Sequence, residues 1–326
     1  MYILAEAAQG YEGSIEKAVL LSKAASQAGA DGIKFQVIYA DEICTPSYEH
    51  YDLFRSLEMP EENWKAIVAH ASNLGLEVFF DVFGNQSLSL AKNLAVKNIK
   101  IHSTCFFDEA LFNSANEFAD TILLSIGGIL PEELEEVLPT RISRAKSQLV
   151  IMYGFQAEPT PLDKNNLARI PLLADRFKLP VGFMDHSVGE GLQAFTLSSL
   201  ALGLGVRFFE KHITIERALE LEDYVSALGP TDFGRFTENL QLLHDAMGHP
   251  TLALTVEEET YRTKALKTVV CAMDVKAGQA LDQDMITMKR TSPSRVGALY
   301  RVRDVLGRKI QYDLVQGAQI TLNDIV

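Results

Sequence analysis

Short apolar runs recur along the first two thirds of the chain. They are Ile3-Leu-Ala-Glu6, Gly32-Ile-Lys-Phe-Gln36, Val78-Phe-Phe-Asp-Val82, Ile99-Lys-Ile-His102, Ile122-Leu-Leu-Ser125, Leu149-Val-Ile-Met-Tyr153, Val181-Gly-Phe-Met184 and Arg207-Phe-Phe-Glu-Lys211. Hydrophobicity that is continuous rather than alternating suits strands covered on both faces, so these runs read as parallel strands. Between them lie stretches with helical spacing, such as Ser14-Ile-Glu-Lys-Ala-Val-Leu-Leu, Pro60-Glu-Glu-Asn-Trp-Lys-Ala-Ile-Val and Glu190-Gly-Leu-Gln-Ala-Phe-Thr-Leu. Several open on Ser, Pro or acidic residues, as helix starts do. Eight strand–helix repeats predict an α/β fold, a closed (β/α)8 TIM barrel over residues 1–247. An open doubly wound sheet would not require eight units. No Gly-x-Gly-x-x-Gly turn follows any strand either, which removes the main signature of a dinucleotide-binding sheet.

After Phe236-Thr-Glu-Asn-Leu-Gln-Leu-Leu the pattern changes. Gly248-His-Pro250 breaks the helix, the acidic Glu257-Glu-Glu259 follows, and residues 248–265 read as a linker. From 266 to 326 short strand-like pieces, punctuated by Lys276-Ala-Gly278 and Gln316-Gly317, predict a small mixed domain. So short a domain has a thin core and is expected to pack on something larger, a barrel mouth of its own or of a partner chain.

Composition narrows the function classes. The 326 residues are 47% hydrophobic, enough for a substantial core, and the net charge of −13 disfavours nucleic acid and anionic membranes as partners. No apolar stretch approaches the roughly 20 residues of a membrane span, and Met1-Tyr-Ile-Leu-Ala-Glu6 lacks the basic region of a signal peptide, so a cytoplasmic location is expected. Cys44, Cys105 and Cys271 are odd in number and lack paired-ligand spacing, which predicts free thiols.

Catalytic groups of a barrel belong at the carboxyl ends of its strands. There His186 and His212 end consecutive strands in matching places. Neighbouring strands lie roughly 5 Å apart, so the two imidazoles can share one metal ion, a pairing that a lone satisfied histidine would not explain. Lys34 and Lys100 lie inside apolar runs and each needs a carboxylate or a bound anion. An internal pair with Glu6 or Asp81 accounts for either lysine alone. Both together with the hydroxyls of Ser103 and Ser125 make a cradle for phosphate or carboxylate. Asp185 could orient an imidazole or accept a proton, although an aspartate at a strand end is commonly a helix cap. Cys105 reads as an inert thiol. Asp223 is a loop residue near the mouth, and Arg290 by itself is a solvated charge.

These residues resemble those of the sialic acid synthases and their nonulosonic acid relatives. The likeness runs nearly end to end, through Ala5-Glu6 with Glu12-Gly13-Ser14, Ala30-Asp-Gly-Ile-Lys34-Phe-Gln36, Lys100-Ile-His-Ser103, Pro159-Thr160-Pro161, Val181-Gly-Phe-Met-Asp185-His186 and Glu210-Lys211-His212. The C-terminal part looks like that family's antifreeze-like (SAF) domain through Asp274-Val-Lys-Ala-Gly278, Lys289-Arg290 and Leu306-Gly-Arg-Lys309. The resemblance implies condensation of phosphoenolpyruvate with an acylated amino-sugar such as N-acetylmannosamine. It implies a divalent cation, commonly Mn2+ with Mg2+ or Co2+ as alternatives, held by His186 and His212. It further implies that Glu6, Lys34, Lys100 and Asp185 belong to the catalytic machinery, and that Gln36, Ser103, Ser125, Gln156 and Asp223 contact substrate. Arg290 would reach the partner's mouth in a domain-swapped homodimer.

The chain departs from that pattern in places. The family's Lys-Ile-Gly-Ser-Gly-Glu reads Lys100-Ile-His102-Ser-Thr104-Cys105, so its glutamate is absent. Gly10-Tyr11, Met184 and Leu221-Glu222-Asp223-Tyr224 also differ from the family residues. His102 could take over metal binding or proton transfer from the missing glutamate, or could simply fill the glycine's space. Two other readings stand beside the leading one: a related condensation with a different aldose, and a noncatalytic metal- or sugar-binding protein.

Overall fold

The structure, a computed structural model, describes residues 1–154, 157–292 and 294–326. It divides into two compact units, Met1–Gly248 and His249–Val326. Unit 1 is a closed barrel of eight parallel strands, β1 Tyr2–Ala8, β2 Gly32–Gln36, β3 Glu77–Val82, β4 Asn98–Ile101, β5 Thr121–Ser125, β6 Gln148–Tyr153, β7 Val181–Asp185 and β8 Phe208–His212. The principal helices of its outer layer are α1 Ile15–Gln27, α2 Glu61–Asn73, α3 Asn85–Asn93, α4 Glu109–Asn116, α5 Pro131–Arg144, α6 Arg169–Phe177, α7 Gln193–Gly203 and α8 Pro230–Met247. The expected barrel is borne out. Local chemistry sets helix ends: Ser14 accepts from the Lys17 N–H at the start of α1, Asp108 accepts from the Leu111 N–H at the start of α4, and Pro230 opens α8.

Side chains of a strand alternate between its faces, and here one face looks into the barrel and the other toward the helices. Ile33, Phe35, Phe80, Ile99, Phe183 and Phe209 pack outward into the large core beneath the helices. Leu4, Phe79, Leu123, Val150, Met152 and Met184 fill the barrel interior. Two residues further toward the carboxyl ends, the same inward register delivers Glu6, Asp81, Ser125 and His186. At the opposite end a cavity of ≈750 Å³ lies among the strand starts, lined by Tyr2, Phe79, Asn98, Gln148 and Phe208. It is remote from the histidines and lysines, which sit where a barrel places its chemistry.

Unit 2 carries the helix α9 Val256–Ala265 and an antiparallel pair, β9 Thr268–Cys271 and β10 Ile286–Lys289. The helix lies in the stretch read as a linker; Thr255 and Glu258 cap it reciprocally and it buries no residue. Val269, Cys271, Leu281, Ile286, Val305 and Ile320 form the small core. Among the described residues no helix is long and apolar enough to cross a membrane.

Candidate active site at the barrel mouth

Five ionisable side chains meet inside the barrel. The Lys34 ammonium pairs with Glu6, with Asp81 at 3.3 Å and with Glu210 at 3.2 Å, and Lys100 pairs with Glu210 at 2.8 Å and Asp81 at 3.7 Å. All five are buried. Both lysines therefore have the internal carboxylate partners that could account for them singly, and are not free in this structure. Burial pushes the Glu6 carboxyl up to about 8 against the pull of Lys34, with Glu210 adding to the rise. Burial would raise Glu210 as well, but Lys100 and Lys34 outweigh it and hold that carboxylate well down. With Glu6 neutral, two ammoniums face two carboxylates, Asp81 and Glu210, and the wall is balanced in charge.

Beside this cluster the His186 and His212 rings stand edge to face, 5.1 Å between centroids. Burial, the largest cause, holds His186 down to about 4 and His212 well below its ordinary value, so both imidazoles are neutral, the form that binds metal. The Nδ1 of His186 lies 3.4 Å from the Met184 carbonyl, whereas Nε2 of His212 is buried with no hydrogen-bond partner among the described residues. Glu210 Oε2 and Asp81 Oδ1 are orphaned in the same way. An orphaned imidazole nitrogen facing a second neutral imidazole fits a divalent cation. Among the described residues no three His, Cys, Asp or Glu side chains gather to hold a metal, so His186 and His212 are the pair of nitrogens they offer.

Asp185 is not in this mouth. It faces the helix layer, where one oxygen accepts from the Ser187 N–H at 2.9 Å, the Ser187 hydroxyl at 2.5 Å and Lys211 at 3.1 Å, and the other accepts from Ser198 of α7 at 3.0 Å. Of the remaining expected residues, Gln36 lies at the end of β2 and accepts from the Gln9 amide at 2.9 Å. Ser125 is fully buried beside Met184, and Ser103 is buried in the turn after β4. Asp223 sits in the loop after β8 with a left-handed φ of 65°. Arg290 is exposed directly after β10 in unit 2, and Gln156 lies outside the described residues.

The loop after β6 adds a residue that sequence reasoning did not single out. Glu158 is exposed as a residue, and its carboxyl feels the charge of Asp223 from the loop after β8. Partial loss of water around the carboxyl, first, and the Asp223 charge, second, push it up to about 9.

Comparison with known proteins fits this geometry. The model of the NeuB family matches residues 21–251, and that of the SAF domain matches residues 267–326. The chain belongs to the NeuB family. Among proteins similar to this NeuB-family chain are the N,N'-diacetyllegionaminic acid synthase of Legionella pneumophila, 24% identical over 98% of this chain and 93% of that protein, and a pseudaminic acid synthase of Campylobacter jejuni, 25% identical over 99% and 96%. A solved N-acetylneuraminic acid synthetase of Leptospira borgpetersenii, in complex with citrate, shares the fold with a TM-score of 0.74 at 24% identity, covering 81% of this chain and 92% of that one. The resemblance read from the sequence is thereby borne out, SAF domain included.

The departures of this NeuB-family chain have local explanations. Cys105 donates to the Phe83 carbonyl at 3.3 Å, and burial raises its thiol, so it is an inert group where the resemblance expects a carboxylate. His102 lies just past β4 rather than in it. Its Nδ1 accepts from the Thr104 N–H at 3.3 Å and contacts the Thr104 hydroxyl at 2.9 Å, capping a short 3-10 turn. Tyr11 is fully buried against Phe35 and Trp64, with its hydroxyl donating to the Gln36 carbonyl at 3.0 Å.

Proposed function

We propose that this NeuB-family chain condenses phosphoenolpyruvate with an acylated amino-sugar, N-acetylmannosamine or a relative, giving a nonulosonic acid and phosphate with the help of a divalent cation, Mn2+ first. The observation that carries this reading is the juxtaposition of two buried neutral imidazoles with two buried ammoniums at the carboxyl ends of the strands. His186 and His212 would hold the cation, which when bound polarises the acceptor's aldehyde oxygen as a Lewis acid. Lys34 and Lys100 bind the phosphate and carboxylate of phosphoenolpyruvate by exchanging contacts with Asp81 and Glu210, and the Ser103 and Ser125 hydroxyls complete that cradle. Glu6, protonated up to about pH 8, can pass its proton to an anion bound at Lys34. The methylene carbon of phosphoenolpyruvate bonds to the aldehyde carbon, water adds to the resulting cationic carbon, and phosphate leaves with cleavage of its carbon–oxygen bond. Gln36 and Asp223 contact the sugar. Asp185 acts at a distance, as a positioning residue that fixes β7 against Lys211 of β8. Arg290 of one protomer reaches the acyl group bound to its partner in a domain-swapped dimer.

The test is direct. The protein with phosphoenolpyruvate, Mn2+ and a panel of hexoses and acylated hexosamines should release phosphate with at least one acceptor and yield the condensed mass. Silence across the whole panel sinks the reading, and release only with sugars other than N-acetylmannosamine redirects it to another aldose.

A further inference from the structure

The backbone that carries the two imidazoles is held by a neighbouring loop. The loop after β8, residues 213–229, leaves from His212 and returns to it. The Leu228 N–H donates to the His212 carbonyl at 2.9 Å, and the Thr214 N–H donates to the Leu228 carbonyl at 3.0 Å. Within that loop the Ser226 hydroxyl donates to the His186 carbonyl at 2.9 Å, alongside the Thr160 N–H from the loop after β6 at 2.8 Å. One loop thus grips the backbone of both histidines.

Arg217 closes that loop. Its Nη1 donates to the Tyr224 carbonyl at 2.6 Å and to the Ala227 carbonyl, on either side of Ser226. Its guanidinium also lies 5.9 Å from the centre of the Tyr224 ring. Nε and Nη2 hold Glu190 of the loop after β7, at 3.0 and 2.8 Å. The Arg217 side chain is 19% exposed and that of Glu190 68%, so the ion pair contributes little and the carbonyl bonds carry the effect. The fit around Arg217 is close. Gly189 donates its N–H to the Val225 carbonyl at 2.8 Å, and a Cβ there would come within 2.0 Å of the Ala227 oxygen and 2.6 Å of Arg217 Nη1. Only glycine passes at that point.

We propose that Arg217 is a positioning residue for the histidine pair. By pinning the Tyr224 and Ala227 carbonyls it sets Ser226 and Leu228, and through them the placement of His186 and His212. Arg217 lies outside the set of residues that the resemblance implies, and its role rests on the reaction proposed above only for what the pair is used for. Two carbonyls and a carboxylate from two loops are met at once by a planar fork of N–H donors. The point charge of an ammonium on a flexible stem does not reproduce that. A metal site needs its ligands fixed to within about 0.5 Å, so a loosened loop is felt at the histidines before it is felt by the barrel.

The experiment uses the full chain, first without metal. In nitrogen-15 spectra of the imidazoles, Arg217→Ala should move the resonances of both His186 and His212, and hydrogen exchange at the Leu228 N–H should quicken. Glu190→Ala, which leaves the carbonyl bonds in place, should keep the parent's spectrum. Calorimetry with Mn2+ should then show affinity about tenfold weaker in Arg217→Ala and in Ser226→Ala, with the double variant no weaker than the weaker single one. Unmoved imidazole resonances in Arg217→Ala overturn the proposal. Additive losses of affinity overturn it as well, since Arg217 would then not act through Ser226. Lowered stability in urea with the parent's imidazole spectrum and Mn2+ affinity would mark a loop staple only, and overturns it too. Should Arg217→Ala fail to fold, Arg217→Lys keeps the charge without the fork and must show the same shifts. A parent that binds no Mn2+, yet whose imidazole resonances move on substitution of Arg217, upholds the positioning role and sinks the metal-dependent reading instead.

Discussion

Strands β7 and β8 present charged groups on both walls of the barrel, one residue apart in sequence. On the outer wall Asp185 and Lys211 sit at zero or near-zero exposure, and each of their charged atoms has a partner in Ser187, Ser198 or the other. On the inner wall His186, Glu210 and His212 are buried too, but Glu210 Oε2 and His212 Nε2 have no partner among the described residues. Both sets are buried, and only one is satisfied. A buried polar group left unmatched costs about 1–3 kcal/mol, so a fold that keeps such groups side by side is holding them for something that arrives later. The outer set reads as structure and the inner set as a site.

The comparison breaks most easily on its outer side. Asp185→Ala strands the Lys211 ammonium in the helix layer, and unfolding in urea should show a loss of about 3–5 kcal/mol, the range for breaking a buried ion pair. A loss under about 1 kcal/mol would mean that the outer pair is not structural. The inner side should respond in the opposite sense. His212→Ala gives up no side-chain hydrogen bond to the described residues, so its stability cost should fall below that of Asp185→Ala, whereas Mn2+ affinity and phosphate release should drop at least about a hundredfold. Calorimetry with Mn2+ and the phosphate assay separate the two effects.

Much of this was legible in the sequence, and for a physical reason. A strand buried on both faces must be apolar throughout, so eight such runs announced the barrel, and the two-residue period assigned their carboxyl-end residues to its mouth. The same period, counted from Phe183, also sends Asp185 outward with it, so the separation of Asp185 from His186 was readable too. The ionic cluster was legible in part, since a pair of either lysine with Glu6 or Asp81 was expected. Its centre was not: Lys34 and Lys100 meet Glu210 across 176 and 110 residues, pairings that only barrel closure creates. Glu158 carries no periodic signal either, and the Asp223 charge that acts on it comes from a different loop. His102, read as the end of its strand, falls one residue beyond it because its ring caps the following turn.

A milder test of the inner wall uses pH. The folded protein holds His186 down to about 4 and His212 well below the ordinary imidazole value, while the unfolded chain protonates both near 6.5. Between those values the unfolded state binds more protons, so stability should fall as pH drops from about 6.5 toward 4. His186→Gln and His212→Gln should flatten that slope in urea titrations of the metal-free protein. An unaltered slope would show that the inner imidazoles are not held neutral by burial.

The smallest effects should come from the two residues that stand where the resemblance expects a glycine and a glutamate. His102 spends Nδ1 on the Thr104 N–H and lies against the Phe83 ring, 5.3 Å between centroids, so His102→Ala should cost about 1 kcal/mol, the value of a helix cap. Cys105 makes weak contacts through its thiol with the Phe83 carbonyl and the Thr104 hydroxyl, and Cys105→Ala should change stability by less than about 1 kcal/mol. Neither change should move Mn2+ affinity, because neither side chain joins His186 and His212 in a metal-holding group. A hundredfold loss of Mn2+ affinity in His102→Ala would reverse that conclusion and make the imidazole the stand-in for the absent glutamate. Retained affinity with lost phosphate release would limit it to proton transfer. Retention of both would leave His102 as a cap, and the inner wall would then carry the chemistry through His186, His212 and the lysine–carboxylate cluster alone.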